Sequence, residues 1–235
     1  MDEEKTKMGA SRRYIMAAVE ASLRRLKTDW IDLYQVHTPD PLTPVDETIR
    51  ALDDLIAQGK VRYVACSNFA AWQVVDAVWT AKSLDRTPFI ACQDEYSLLY
   101  RDIERELVPA MVAHGLGFLP YFPLASGLLS GKYRGGAMPP GTRLGRPSAL
   151  TGRFLSEENR AIADRLADFA EARGHTLLEL AFSWLLAQPT VASVIAGASN
   201  LEQIQQNVAA ATWTLTADDL AEINTIAPAP PKAGH

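Results

Sequence analysis

Trp30-Ile31-Asp32-Leu33-Tyr34-Gln35-Val36-His37-Thr38-Pro39-Asp40-Pro41 reads as a β-strand that ends in a histidine and runs into a loop. Side chains alternate along a strand, so Ile31, Leu33, Gln35 and His37 share one face. Two apolar residues followed by two polar ones describe a strand that starts in a core and opens into a site. Thr38-Pro39-Asp40-Pro41 terminates it, because proline cannot donate to a ladder. The C-terminal end of a buried parallel strand is where α/β enzymes hold their chemistry. A lone histidine satisfied by backbone is the plainer reading of the same stretch.

The surrounding chain alternates helical and strand patterns. Before the histidine strand, Ser11 is placed to cap a helix to about residue 27, with Ile15, Val19, Ser22, Leu23 and Leu26 at helical spacing. After it, Thr43 or Asp46 opens a helix carrying Ile49, Leu52, Leu55 and Ile56, closed by Gly59. Val61-Arg62-Tyr63-Val64-Ala65-Cys66 is a strand, and Ser67-Asn68-Phe69 a turn that caps the next helix, through about residue 83. Residues 88–93 and 117–121 form two further strands around a helix at 102–113. Residues 122–154 are rich in Gly and Pro and lack periodicity, so they read as a long functional loop. Helices at 156–173 and 177–187, a strand at 191–196, and helices at 199–211 and 216–226 complete the pattern.

Five short apolar strands separated by helices indicate a parallel sheet with helices outside. A flavodoxin-like sheet would carry a Gly-rich phosphate loop after its first strand, and His37-Thr38-Pro39-Asp40 is not one. A (β/α)8 TIM-barrel type fold uses eight strands and about 250 residues. This chain reads as such a barrel, incomplete, with about five of its eight strands. Residues 1–8 form a polar leader, 9–226 the partial barrel and 227–235 a flexible tail.

Composition narrows the partners. The chain has 235 residues and a formal net charge of −5, which argues against nucleic acid or an anionic membrane as the main partner. No apolar run reaches the roughly 20 residues of a membrane helix, and the start Met1-Asp2-Glu3-Glu4-Lys5 is no signal peptide. Cys66 and Cys92 sit in apolar strands and read as buried free thiols of a reducing cytoplasm. Two cysteines and four scattered histidines have no zinc-site spacing, so no metal is expected.

Polar residues collect where strands end: His37, then Ser67 and Asn68, then Gln93, then Tyr121. Hydroxyl and carboxamide groups there can pair with a primary amide, and a tyrosine offers a face for stacking an aromatic ring. Taken singly, each is also ordinary turn or core chemistry. Further on, Gly197-Ala198-Ser199-Asn200 opens a helix whose Ser199, Gln203 and Asn207 share one face, with Leu201, Ile204 and Val208 opposite. An uncharged polar stripe suits an adenine or a ribose; a solvated face is the alternative. In the long loop, small residues admit backbone N–H groups to a pyrophosphate, and Lys132 and Arg143 can meet a further phosphate. Arg134 and Arg146 read as solvated.

Several of these strings closely resemble the aldo-keto reductases. They are Ser22-Leu23-Arg24-Arg25-Leu26, Asp32-Leu33-Tyr34-Gln35-Val36-His37, Gly59-Lys60-Val61-Arg62-Tyr63, Ser67-Asn68-Phe69 and Gln93-Asp94-Glu95-Tyr96-Ser97. Pro123-Leu124-Ala125-Ser126-Gly127-Leu128-Leu129-Ser130-Gly131-Lys132-Tyr133 and the segment from Gly197 to Asn207 continue the series. The resemblance runs from about residue 9 to 226. It implies a barrel that binds NADP(H) without a Rossmann fold and transfers hydride between nicotinamide C4 and a small carbonyl or alcohol. By that resemblance Ser67, Asn68 and Gln93 hold the carboxamide, and Tyr121 stacks under the nicotinamide. Phe122, Pro123, Leu124 and Ser126 line the pyrophosphate, and Lys132 and Arg143 meet the 2′-phosphate. Gly197, Ser199, Gln203, Gln206 and Asn207 surround the adenosine, Gln206 standing where many members carry Glu.

His37 matches the histidine of the family's catalytic group, which orients the substrate carbonyl and assists proton transfer. The proton donor there is a Tyr whose pKa a neighbouring Lys and Asp lower. Those three come from strands upstream of the histidine strand, and the 29 residues before Trp30 hold no counterpart of Asp or Tyr. Lys7 sits in too polar a setting for a buried strand; Tyr14 lies on a helix and Tyr34 on the outer face of the strand. Loss of a general acid costs on the order of 10²–10⁴-fold in rate. The sequence as written is therefore expected to be a catalytically deficient aldo-keto reductase. The alternatives are a non-catalytic NADPH-binding or partner-binding module resembling channel β-subunits, or a fragment without function. An open barrel also exposes strand edges that invite self-association.

Overall fold

Asp40, in the loop that follows the opening strand, organises the start of the chain. Its carboxylate accepts the backbone N–H of Ala10 (2.8 Å) and of Leu42 (3.0 Å) and the hydroxyl of Thr43 (2.7 Å). The Ala10 N–H is the chief reason its carboxyl titrates below the usual range. Gly9, at φ +91°, makes room for this contact, since a Cβ there would lie 2.5 Å from the carboxylate. These features come from a computed structural model that describes residues 8–145 and 148–231. Lys7, Arg146, most of the leader and the last four residues of the tail lie outside the described residues.

The chain divides into two compact units, residues 1–94 with 106–118 and residues 95–105 with 119–235. The first unit runs α1 (Arg12–Leu26), β1 (Ile31–Val36), α2 (Val45–Ala57), β2 (Val61–Ser67), α3 (Ala71–Ser83), β3 (Ala91–Gln93), α4 (Leu107–His114) and β4 (Gly117–Phe118). Ser11 caps α1 by accepting the N–H of Tyr14, and Lys27 closes it in the left-handed conformation. The four strands are all parallel and lie in the order β1-β2-β3-β4. Helices α1 and α2, α2 and α3, and α3 and α4 pack as successive neighbours. A doubly wound sheet reverses strand order at a switch point and places helices on both faces. This one keeps its strands in sequential order with no switch point, and each helix packs on the next, as along an arc of a barrel. Ile49, Leu52, Leu55, Val64, Val74 and Met111 are fully buried in this unit, each contributing roughly 1.5–3 kcal/mol of transfer free energy.

Several expectations need correction. The open sheet has four strands among the described residues, where the pattern suggested five. Residues 191–196 form no continuous strand, only a bridge at Val191, although the N–H of Ile195 reaches the carbonyl of Pro120 at 3.1 Å. Proline has no N–H to return, so a ladder cannot propagate there. For the same reason the strand expected at 117–121 stops at Phe118, leaving Tyr121 in an isolated bridge with Glu95. The 102–113 helix is broken into a 3-10 turn, Asp102–Glu104, and α4. Ser67 and Asn68 do not cap α3; the Gln73 side chain does so, accepting from the N–H of Ala70 at 3.0 Å. Helix α2 follows Pro44 without a side-chain cap.

The second unit holds the long excursion. It contains 3-10 segments at Ala125–Ser130, Arg134–Gly136 and Arg143–Gly145 and a short helix, α5 (Ala149–Phe154). Helices α6 (Glu157–Glu171), α7 (Leu177–Leu186), α8 (Leu201–Ala209) and α9 (Ala217–Ile226) follow, capped by Ser156, Thr176, Asn200 and Thr216. Arg101 ties this unit together. Its guanidinium grips Glu104 through Nε (2.7 Å) and Nη2 (3.0 Å) and donates to Asn224 and to the carbonyl of Ala227. It also lies 5.0 Å from the ring centroid of Trp184.

Candidate active site

In the first unit, register brings the strand-end residues together. Ser67 pairs with Gln93, and Gln35 with Ala65. By alternation Gln35, Ser67 and Gln93 therefore share a face. Gln35 donates from Nε2 to Oε1 of Gln93 at 3.0 Å. Asn68 takes a left-handed conformation, φ +60°, which asparagine tolerates. From there its amide donates to the carbonyl of His37 (2.9 Å) and to Oγ of Ser67 (3.0 Å), while its backbone N–H donates to the carbonyl of Gln93 (3.2 Å). One residue thus ties the ends of three strands. His37 itself is exposed, one residue beyond β1.

The opposite face carries Cys66 and Cys92, both free and fully buried, with sulfurs 3.6 Å apart. The hydrogen bond with Cys92 and burial push the Cys66 thiol far up, so both behave as packing rather than as nucleophiles. Asp94 follows. Burial pushes its carboxyl up to about 7, against the smaller opposing pull of the Asn68 backbone N–H. One of its oxygens is buried with no hydrogen-bond partner, as is Oε1 of Gln35. Asp94 was not expected to form a site, and Gln35 was expected only as the polar neighbour of His37 on the strand that opens into one. The position of Gln35 two before His37 on one strand was the available signal.

In the second unit, a cavity of about 940 Å³ gathers the remaining candidates. Tyr121, Phe122, Pro123, Leu124 and Ser126 line one side. Their path is unusual: Phe122 (φ +53°), Ala125 (φ +45°), Ser126 (φ +57°) and Gly127 (φ +101°) all adopt positive φ. For non-glycine residues this costs about 1–3 kcal/mol each and persists only where packing enforces it. The packing here includes edge-on contacts of Phe122 with Tyr121 and Phe154, at 5.4 and 6.0 Å between centroids. Ser126 is 6% exposed, and its hydroxyl has no hydrogen-bond partner. A buried hydroxyl beside an open cavity has room for a polar ligand atom.

Lys132 and Arg143 supply positive charge to the same cavity. Arg143 is held there because the hydroxyl of buried Tyr133 accepts the N–H of Leu144 at 3.1 Å. The far side is the approach to α8 and its first two turns: Gly197 and Ser199 before the helix and Gln203, Gln206 and Asn207 on it all line the cavity. Oε1 of Gln203 accepts both the N–H (2.7 Å) and the hydroxyl (2.9 Å) of Ser199, and Gln206 donates from Nε2 to Glu202 at 3.1 Å. Thr142 and Ser130 also line it; both lie in the aperiodic loop, where the sequence offers no pattern to single them out. Two cations, a strained small-residue loop, an orphaned hydroxyl and a helix N-terminus together fit a phosphorylated nucleotide.

A parallel arc of barrel and this anion-ready cavity define a class. The chain belongs to the aldo/keto reductase family, whose profile it matches over residues 1–228. The fold is accordingly of the (β/α)8 type, present as an unclosed parallel sheet. Among relatives, a probable voltage-gated potassium channel subunit beta of Arabidopsis thaliana is 38% identical over 205 residues, which cover 86% of this chain and 62% of that protein. The L-glyceraldehyde 3-phosphate reductase of Escherichia coli (strain K12) is 33% identical over 222 residues, covering 92% and 64%. An uncharacterized oxidoreductase of Bacillus subtilis is 35% identical over 223 residues, covering 94% and 66%. The chain thus spans slightly under two thirds of the length of these relatives. No helix among the described residues is long and apolar enough to cross a membrane.

Proposed function

We propose that this chain is the NADPH-binding part of an oxidoreductase acting on a small aldehyde, ketone or alcohol in the cytoplasm. One observation carries the reading: a single cavity is lined by Tyr121, the Phe122–Ser126 segment, Lys132, Arg143 and the polar start of α8. Each of these occupies a position at which the family resemblance implies a nucleotide contact. The orphaned hydroxyl of Ser126 supports a ligand in that space. Lys132 and Arg143 would hold the 2′-phosphate, which distinguishes NADPH from NADH. Ser67, Asn68 and Gln93 are the residues to which the resemblance gives the carboxamide. When bound, the cofactor supplies a hydride equivalent for a carbonyl carbon. On the protein side, His37 would orient the carbonyl oxygen and assist its protonation.

On the family resemblance, we read no counterpart of the acid group's Tyr and Asp in the residues before Trp30. The 235-residue chain is therefore expected to bind NADPH and to turn over poorly. Titration of NADPH by its fluorescence tests the first half; absence of saturable binding refutes it. NADPH oxidation with a reactive aldehyde tests the second, and turnover at the rate ordinary for such enzymes refutes it. A second reading, a non-catalytic binding subunit that associates with itself or a partner, is favoured by the relatives described as channel β-subunits. Saturable binding without turnover, together with a defined oligomer on sizing, supports that reading.

A further inference from the structure

The first two turns of α8 show the cavity more than a generic polar face. Gln203 and Gln206 both line it and, three residues apart, neighbour each other on the helix. An amide can offer a site its oxygen or its nitrogen, and local hydrogen bonds decide which. At Gln203 the oxygen is taken by the N–H and hydroxyl of Ser199, which leaves the NH2 group to the cavity. At Gln206 the polarity is reversed. Glu202 accepts from its Nε2 at 3.1 Å, so Oε1 is the atom left for a ligand.

We infer that Glu202 is a positioning residue: by holding the amide nitrogen of Gln206 it fixes that side chain as an acceptor and selects a purine with an amino group at C6. The inference rests on the dinucleotide reading above. Adenine presents an N6 donor beside the N7 acceptor on one edge, the complement of a fixed acceptor beside a fixed donor. Hypoxanthine carries a carbonyl oxygen at C6, which would face Oε1 of Gln206 oxygen to oxygen. Glu202 also lies in the first turn of α8, where a carboxylate favours the helix whatever base is bound. That general effect acts equally on both nucleotides and cancels in the ratio of their affinities.

The test is a set of fluorescence titrations of the full chain with NADPH and with its reduced hypoxanthine analogue. Wild type is expected to prefer the adenine nucleotide by about tenfold. In Glu202→Ala the freed amide can turn its nitrogen toward the C6 oxygen, and the preference falls to about threefold or less. Glu202→Gln, which still offers an oxygen acceptor, retains most of it. The double variant Glu202→Ala/Gln206→Glu restores it, because a carboxylate has acceptors alone. An unchanged ratio in Glu202→Ala, a double variant that stays indifferent, or a wild type that binds NADPH without base preference overturns the positioning role alone. A wild type that binds neither nucleotide overturns the dinucleotide reading and this inference with it.

Discussion

Replacing Asp94 by Asn should change how the stability of this protein depends on pH. Burial raises the Asp94 carboxyl to about 7 in the folded chain, against about 3.9 when unfolded. Between those values the native state keeps a proton that the unfolded state has released, so stability falls as pH rises. The contribution is fully present below about pH 4 and is lost as pH climbs through 7. Integrated from pH 5 to pH 8, the loss is about 2–3 kcal/mol. Asp94→Asn cannot titrate and escapes it, at a roughly constant cost for an unpaired amide of about 1–3 kcal/mol. Urea unfolding followed by tryptophan fluorescence, at unit steps from pH 5 to 8, gives the difference between variant and wild type. Every other group is common to the two proteins and cancels in the difference. The variant should gain about 2–3 kcal/mol on wild type across this window; a difference that does not move with pH refutes the burial argument.

Arg101→Met should destabilise the chain by about 3–5 kcal/mol, because it leaves the Glu104 carboxylate without its bidentate partner. Arg101→Lys should recover little, since a lysine cannot reproduce the fork that reaches Glu104, Asn224 and Ala227 together; a loss below about 1 kcal/mol in urea melts counts against the hub. Lys132→Met should weaken NADPH by about 10–100-fold while changing NADH far less; equal losses for both nucleotides would show that Lys132 does not meet the 2′-phosphate. Cys66 and Cys92 should react with a thiol reagent at pH 8 no faster than the protein unfolds, and native-state labelling at the rate of free cysteine would contradict their burial.

Elements whose determinants are local could be read closely from the sequence. Ser11 and Lys27 bound α1 as its pattern implies, and Thr216 opens α9 with Asp219 completing a capping box. Both depend on hydrogen bonds spanning a few residues. Strand ends were harder, because a ladder depends on a partner elsewhere in the chain. Residues 88–90 and 119–121 are apolar enough for strands, yet prolines at 88 and 120 lack the N–H that pairing needs, and in the first of these only Ile90 is bonded on both sides, to Val64 and Gly117. Residues 191–196 lack a continuous ladder opposite the same Pro120. The polar strand ends were legible as types in a sequence order. Their hydrogen-bond partners were not, since Asn68 bridges to His37 across 31 positions and Gln35 to Gln93 across 58.

Helix α8 shows where periodicity stops being informative. Its sequence separates Ser199, Gln203 and Asn207 from Leu201, Ile204 and Val208, and the usual inference buries the second set. The structure does the reverse among the described residues. The polar set lines the cavity, while Leu201, Ile204 and Val208 are 69%, 51% and 71% exposed. A repeat of 3.6 identifies two faces but is a property of one element; burial is a property of two. What distinguishes the functional face in α8 is the absence of charge. A solvated helix face usually carries Lys and Glu, whereas the three polar residues of this face can each donate and accept. Uncharged amides are poor at solubilising a surface and well suited to reading a neutral, directional edge. That chemistry, rather than the amphipathic pattern, marks the start of α8 as the part of this helix that meets a ligand.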